Sequence, residues 1–330
     1  MTSSHNAVDL PGWQPNTQTG RNSGNLTRGK PSRGAPRHAW AQRACRAWQG
    51  ALLLTALLGL TACSTVVTGY NNAPTLLTWM ADSYFDLDSD QETLLKERLR
   101  SLRAWHRNQL PDYARALAEA QARLTRQVEP DDVAWLFGES EKRYRALIDH
   151  AAPAAAELAG RLRPENIAHL QQKMAKKNAE FEDDFIKADL EKRRDKRYER
   201  MLGEAERVYG SFTREQKARI RELSDALPAN YPLMLEDRKR RQAELVAILQ
   251  GAIDKSVPAD ETTRRLKTWA GDFERGRHPA YREFGLKYRA EVQKMFATIA
   301  NLTTPDQRQV AVKNVQKYVD DFNNLAVAAN

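Results

Sequence analysis

The sequence predicts an all-α protein, an elongated multi-helix bundle with one long charged helix over about residues 164–209. Three observations lead there. Apolar residues recur at three- and four-residue spacing, and strand-type alternation is hard to find. Glycine is scarce, with only nine in the 268 residues from Cys63 onward. Prolines fall between the periodic stretches or at their starts, where a missing N–H costs little.

The first segment sets the expected address. The chain carries 52 Lys and Arg in 330 residues and a formal charge of +9. Seven of those bases (Arg21, Arg28, Lys30, Arg33, Arg37, Arg43, Arg46) lie before residue 63, against the single acid Asp9. The remainder is close to neutral, so no nucleic-acid partner is expected. Two cysteines exclude a disulfide-stapled scaffold and a cysteine zinc finger. Residues 1–36, rich in Ser, Asn, Thr, Gly and Pro, read as a disordered extension. Residues 37–62 then run basic, apolar (Ala51 to Leu60) and small (Thr61, Ala62), the layout of a secretory signal. The apolar run is about half of the ~20 residues that a spanning helix needs. The expected division is therefore a signal peptide with its extension over 1–62, a tether over 63–72 and one helical domain over 73–330.

Within the domain, each helix has its own signal. Leu94, Leu95, Leu99 and Leu102 form one stripe, and Leu117, Ala120 and Leu124 another. Leu245, Ile248, Leu249 and Ile253 form a third, and Phe284, Tyr288, Val292 and Met295 a fourth. Three helix starts share one form: Asp88 to Gln91, Thr213 to Gln216 and Thr304 to Gln307. Each places a capping oxygen three residues before Gln, a capping box. Arg163 to Asn166 is a weaker version. Leu87 and Phe212 sit where hydrophobic staples belong. Pro153 predicts a break or kink in a helix from about Pro130 to Arg161. The proline-free stretch from Pro164 to Tyr209 predicts the long helix, with Asp183/Lys187 and Asp189/Arg193 paired four apart. Its basic residues Lys192, Arg193, Lys196, Arg197 and Arg200 read as a solvated face. The sharper reading is a contact with an anionic lipid or lipopolysaccharide surface. Arg238 to Arg241 allow the same two readings.

Leu60-Thr61-Ala62-Cys63 resembles the bacterial lipobox at all four positions. The resemblance implies cleavage between Ala62 and Cys63 and acyl chains on Cys63. The membrane, held through those acyl chains, is then the first partner, since one chain binds marginally and two or three hold firmly. Through Ser64 after the cysteine, the resemblance also implies the periplasmic face of the outer membrane rather than the inner. Tyr70-Asn71-Asn72, the run Trp79, Asp82, Tyr84, Asp86, Leu87, Gln91, and the element Trp105-His106-Arg107, Leu110-Pro111, Tyr113 follow closely. Together they resemble a family of Gram-negative lipoproteins whose domain has no assigned function. That resemblance implies a helical lipoprotein and carries over no catalytic residue. The capping boxes are more loosely similar to the LTxxQ repeats of the Spy/CpxP class of periplasmic stress proteins.

Chemistry is sparsely marked. The histidines from Cys63 onward (His106, His150, His169, His278) have no metal-ligand spacing, and no nucleophile elbow, P-loop or dinucleotide fingerprint occurs. No catalytic residue, metal or cofactor is expected. The nearest polar constellation is Asp82 and Asp86 with Trp105, His106 and Arg107, brought together if the first two helices pack antiparallel. Core packing of the tryptophans is the plainer reading. The expected function is an outer-membrane-anchored, non-enzymatic binding or structural protein with an envelope protein or polymer as partner. The alternative is a holdase-type chaperone.

Overall fold

The computed structural model describes residues 65–272 and 278–328. The expected signal segment, Ala62 and Cys63 lie outside them. The chain divides into two units. Residues 70–330 belong to the unit that carries the fold. Of Pro11–Gly69, only part of the first helix is described. Twelve α-helices and no strand occur among the described residues. In order they are α1 Thr65–Asn71, α2 Ala73–Phe85, α3 Ser89–Arg107, α4 Leu110–Arg123, α5 Pro130–Ala159 and α6 Pro164–Phe181. There follow α7 Leu190–Tyr209, α8 Arg214–Ala226, α9 Tyr231–Ile253, α10 Ala259–Gly271, α11 Pro279–Asn301 and α12 Pro305–Val327. The all-α multi-helix architecture predicted from spacing is the one observed.

The single long helix is not observed. α6 ends at Phe181, a π-helical turn spans Glu182–Lys187, and Ala188 is extended at ψ 150°. Asp189 then caps α7 by accepting from the Lys192 N–H at 2.7 Å. The cause is local. An Asp carboxylate that satisfies a free N–H starts a helix more readily than it continues one. An aromatic trio fixes the break, with Phe185 5.0 Å from Phe181 and 5.1 Å from Tyr231 between ring centres. Asp183 and Lys187 pair at 2.9 Å as spacing predicts. Arg193 instead reaches the backbone carbonyl of Asp189, because the Asp189 carboxylate caps the helix. In α5, by contrast, the helix runs on through Pro153.

The capping boxes do more than start helices. Gln91 takes the Asp88 N–H on Oε1 at 3.0 Å. Its Nε2 crosses to the facing helix start, donating to the Arg161 carbonyl at 2.8 Å and Asn166 Oδ1 at 3.0 Å. Asn166 returns its own amide to the carbonyls of Phe85 and Asp86, both at 2.8 Å. The second pair repeats this. Gln216 Nε2 donates to the Leu302 carbonyl and Gln307 Oε1, both at 2.8 Å. Gln307 Nε2 donates to the Ser211 carbonyl at 2.7 Å and Gln216 Oε1 at 3.1 Å. In all four cases an amide reaches the carbonyl two residues ahead of the partner's cap.

Helix packing follows the same duplication. α2 packs on α3 and α6, and α3 on α5. Correspondingly, α7 packs on α8 and α12, and α8 on α11. The fold thus contains two four-helix sets of one design, each closed by a crossed pair of side-chain amides. α4 lies against α12, and α9 and α10 pack on α6 and α5, so the connecting helices tie the sets together. Three main apolar clusters form the core. One centres on Ile167, Leu170 and Leu249, one on Val133, Ala311 and Val315, and one on Ile220, Val292 and Ile299.

Candidate functional site

The structure separates the predicted polar constellation. α2 and α3 form an antiparallel hairpin turning at residues 86–88, so residues equally far from the turn face each other. That register sets His106 opposite Tyr70 and leaves Asp82 and Asp86 at the other end. At 1.5 Å per residue, α3 alone holds them about 25 Å apart. Asp82 accepts the Leu87 N–H at 2.9 Å. Asp86 ends α2 in the left-handed region, φ 53°, its N–H on the Asp82 carbonyl at 2.7 Å. Both aspartates therefore build the turn.

His106 has aromatic partners instead. Its Nδ1 lies 3.1 Å from the Tyr70 hydroxyl and its Nε2 3.2 Å from that of Tyr113. Trp105 stacks on His150 with ring centres 4.1 Å apart and planes within 7°. Arg107 reaches Asn71 Oδ1 at 3.5 Å. Trp79, which the plainer reading places in the core, is 65% exposed. Burial lowers the His106 imidazole below its ordinary 6.5 and raises the phenols of Tyr70 and Tyr113. The folded state keeps this ring neutral while the unfolded chain protonates near 6.5, so the site's contribution is full above that pH. It falls as pH drops from 6.5 toward the lowered folded value. Urea midpoints measured across that window are expected to decline with acidity, and less steeply in His106→Gln. An identical decline in that variant would assign the dependence to another group.

The predicted basic face is only partly solvated, with Lys192 and Arg200 exposed and Arg193, Lys196 and Arg197 half-buried. Arg197 donates to the carbonyls of Leu227 and Asp225, at the C-terminal end of α8, at 3.4 and 3.5 Å. Arg193 reaches the Phe185 carbonyl at 3.4 Å and lies over the Tyr231 ring. Lys196 pairs with Asp184, and Arg200 is also partnered. Arg193, Lys196 and Arg197 hold α7 to its neighbours. In the second basic run, Arg240 pairs with Asp237 and Glu244, and Lys239 with Glu182.

A cleft of about 610 Å3 opens between α4, α5, α7 and α11. Its walls are mostly apolar, with Leu136, Phe137, Met201, Phe284, Leu286 and Phe296 among them. Every carboxylate in it is already paired. Asp132, 7% exposed, accepts from Arg126 and Arg123 at 2.6 and 2.7 Å, and Arg126 most of all holds its carboxyl far below the usual range. Glu141 pairs with Arg145 at 2.7 Å and Arg289 at 3.5 Å, and Glu204 with Arg207 at 2.9 Å. Burial pushes the Tyr209 and Tyr281 phenols up to about 12, so they stay neutral. The lining was hard to see in sequence. Its trace is that Trp135-Leu136-Phe137 and Phe284, Leu286, Tyr288 are wider than the one stripe a core-facing helix needs.

Among the described residues no group of three or more His, Cys, Asp or Glu is arranged to hold a metal ion, and no helix is long and apolar enough to cross a membrane. A family model matches residues 83–273, more than half of the chain. The chain belongs to the family of unknown function DUF6279. The match takes in α3 to α10, including the first crossed amide pair and the α5 wall of the cleft. No curated protein and no solved structure matches the chain.

Proposed function

We propose that this DUF6279 protein is a lipid-anchored, non-enzymatic binding protein of the bacterial envelope, and that its cleft receives an apolar guest. The cleft is the observation that carries the reading. Its volume lies within the range of small-molecule sites, and apolar walls with few polar groups are their usual make-up. Met201 and Met234 supply adaptable contacts. The anchor rests on the sequence from Arg37 to Cys63, and two or three acyl chains there would hold the protein on the periplasmic face of the outer membrane. Leu76, Leu77 and Trp79, all exposed on α2, suit a surface close to lipid.

One experiment tests both parts. The native chain is expected to remain in the membrane fraction and to bind one equivalent of a fluorescent apolar probe. The Cys63→Ser chain should leave the membranes and bind the probe equally. Absence of saturable probe binding removes the binding reading, and membrane retention of Cys63→Ser removes the lipid anchor. The same cleft favours the chaperone as a second reading. It predicts suppressed aggregation of an unfolded client, and no effect on several clients would dismiss it.

A further inference from the structure

We propose that the cleft's guest is a single-chain amphiphile with a carboxylate head, its alkyl chain among Phe137, Phe284 and Leu286 and its head on Arg282. The inference rests on the reading of the cleft as a binding site and names the ligand class. Three observations support it.

The first is the chemistry of the walls. A buried peptide brings an N–H and a C=O with each residue, and each needs a partner. The cleft offers few. Its walls are almost all helix, whose backbone groups bond within the helix, the backbone of Val128 is taken by Asn301, and its carboxylates are paired as described. Ser140 Oγ donates to the Leu136 carbonyl at 2.9 Å, and Tyr281 and Tyr288 are also partnered. An alkyl chain asks for no hydrogen bond and fits such walls without cost.

The second is the charge at the mouth. The lining holds three arginines, Arg123, Arg282 and Arg289. Arg123 is taken by Asp132 and Glu119, and Arg289 by Glu141. Arg282 is exposed and has no ion-pair partner among the described residues. It stands one turn of α11 before Leu286, which is 57% exposed. A free guanidinium beside an exposed apolar side chain meets the two parts of an anionic amphiphile at once. A single guanidinium matches one carboxylate through two parallel hydrogen bonds.

The third is the neutrality of the rest. Tyr209 and Tyr281 remain phenols at any physiological pH, and no unpaired acid faces the cleft to repel a carboxylate.

The test is calorimetric titration of the full chain carrying Cys63→Ser with dodecanoate, dodecanol and dodecyl phosphate. Dodecanoate is expected to bind one-to-one, about tenfold tighter than dodecanol, the worth of one charge-assisted contact. Arg282→Gln should erase that difference and leave dodecanol unchanged. Leu286→Glu, at an exposed position that the fold does not need, should weaken both. Equal binding of dodecanoate and dodecanol, unmoved by Arg282→Gln, overturns the inference and leaves the apolar-guest reading standing. Tighter binding of dodecyl phosphate, lost in Arg282→Gln, overturns the carboxylate assignment in favour of a phosphate head. Binding of an apolar peptide, titrated alongside, where none of the three dodecyl compounds binds overturns the inference alone. No binding by any of these overturns both.

Discussion

Asn166→Ala is expected to lower the stability of the fold by about 3 kcal/mol, as one cooperative loss in urea unfolding. Asn166 is 6% exposed and makes four hydrogen bonds through one side chain. It accepts from the Arg163 N–H at 2.8 Å and from Gln91 Nε2 at 3.0 Å. It donates to the carbonyls of Phe85 and Asp86. Alanine leaves those two carbonyls and the Gln91 amide short of a partner in a place water reaches poorly. A net hydrogen bond contributes about 1 kcal/mol, but a buried group left unsatisfied costs about 1–3 kcal/mol. The second figure decides the size of the effect. Asn166→Asp separates the roles, since it keeps the acceptor and loses the two donated bonds. It also sets a buried carboxylate oxygen against the carbonyls of Phe85 and Asp86, so it should destabilise at least as much as alanine. Because Gln91 and Asn166 bond to each other, the double variant should be less destabilised than the sum of the two singles. A loss under about 1 kcal/mol for Asn166→Ala, or strict additivity with Gln91→Ala, would show that the crossed amides are incidental to the fold.

What was legible in the sequence depended on the range of the interaction that wrote it. Capping boxes are local, and Asp88/Gln91, Thr213/Gln216 and Thr304/Gln307 all form as read. The box at Glu129 and Asp132 carries little sequence signal, because Glu is a poor capping residue. There the backbone N–H of Glu129 donates to Asp132 Oδ2 at 2.9 Å. Hairpin pairing is longer in range but obeys arithmetic. Counting from the turn would have placed His106 beside Tyr70 and away from Asp86. The break after Phe181 leaves no trace in the spacing, because Asp189 four residues before Arg193 fits a helix-interior ion pair equally well. Its short carboxylate serves a cap better. The crossing of amides between helix starts far apart in sequence had no local trace. Each Gln looked complete once its own helix was capped. The cleft was the least legible feature. Phe137 and Phe296 are spaced as core residues are, and both also pack on core clusters. Sequence periodicity says which face is apolar and cannot say where two apolar faces fail to meet.

Ile220→Ala is expected to cost about 3–4 kcal/mol and to move one unfolding transition without splitting it. Ile220 on α8 is fully buried, among Met201, Phe212, Val292, Met295 and Ile299. Removing three carbons there leaves a void that neighbours from α7 and α11 fill only in part, so the transfer and cavity terms add. The shape of the transition tests the relation between the two four-helix sets. Were they independent, only a second, later or earlier step would shift. The packing argues otherwise. The cluster around Val133 and Ala311 takes residues from α4 and α5 as well as from α11 and α12. Phe137, Tyr209 and Phe296 touch both that cluster and the one holding Ile220. A void beside Ile220 therefore loosens contacts that belong to both sets. Far-UV circular dichroism and tryptophan fluorescence should report the same shifted midpoint. Trp105 and Trp135 lie outside the second set and Tyr198 within it, so separate midpoints for tryptophan emission and helix content would divide the fold into two independently stable halves. That outcome would make the duplicated crossed-amide design a pair of domains, with the cleft sitting on a joint that opens at lower cost than either half unfolds.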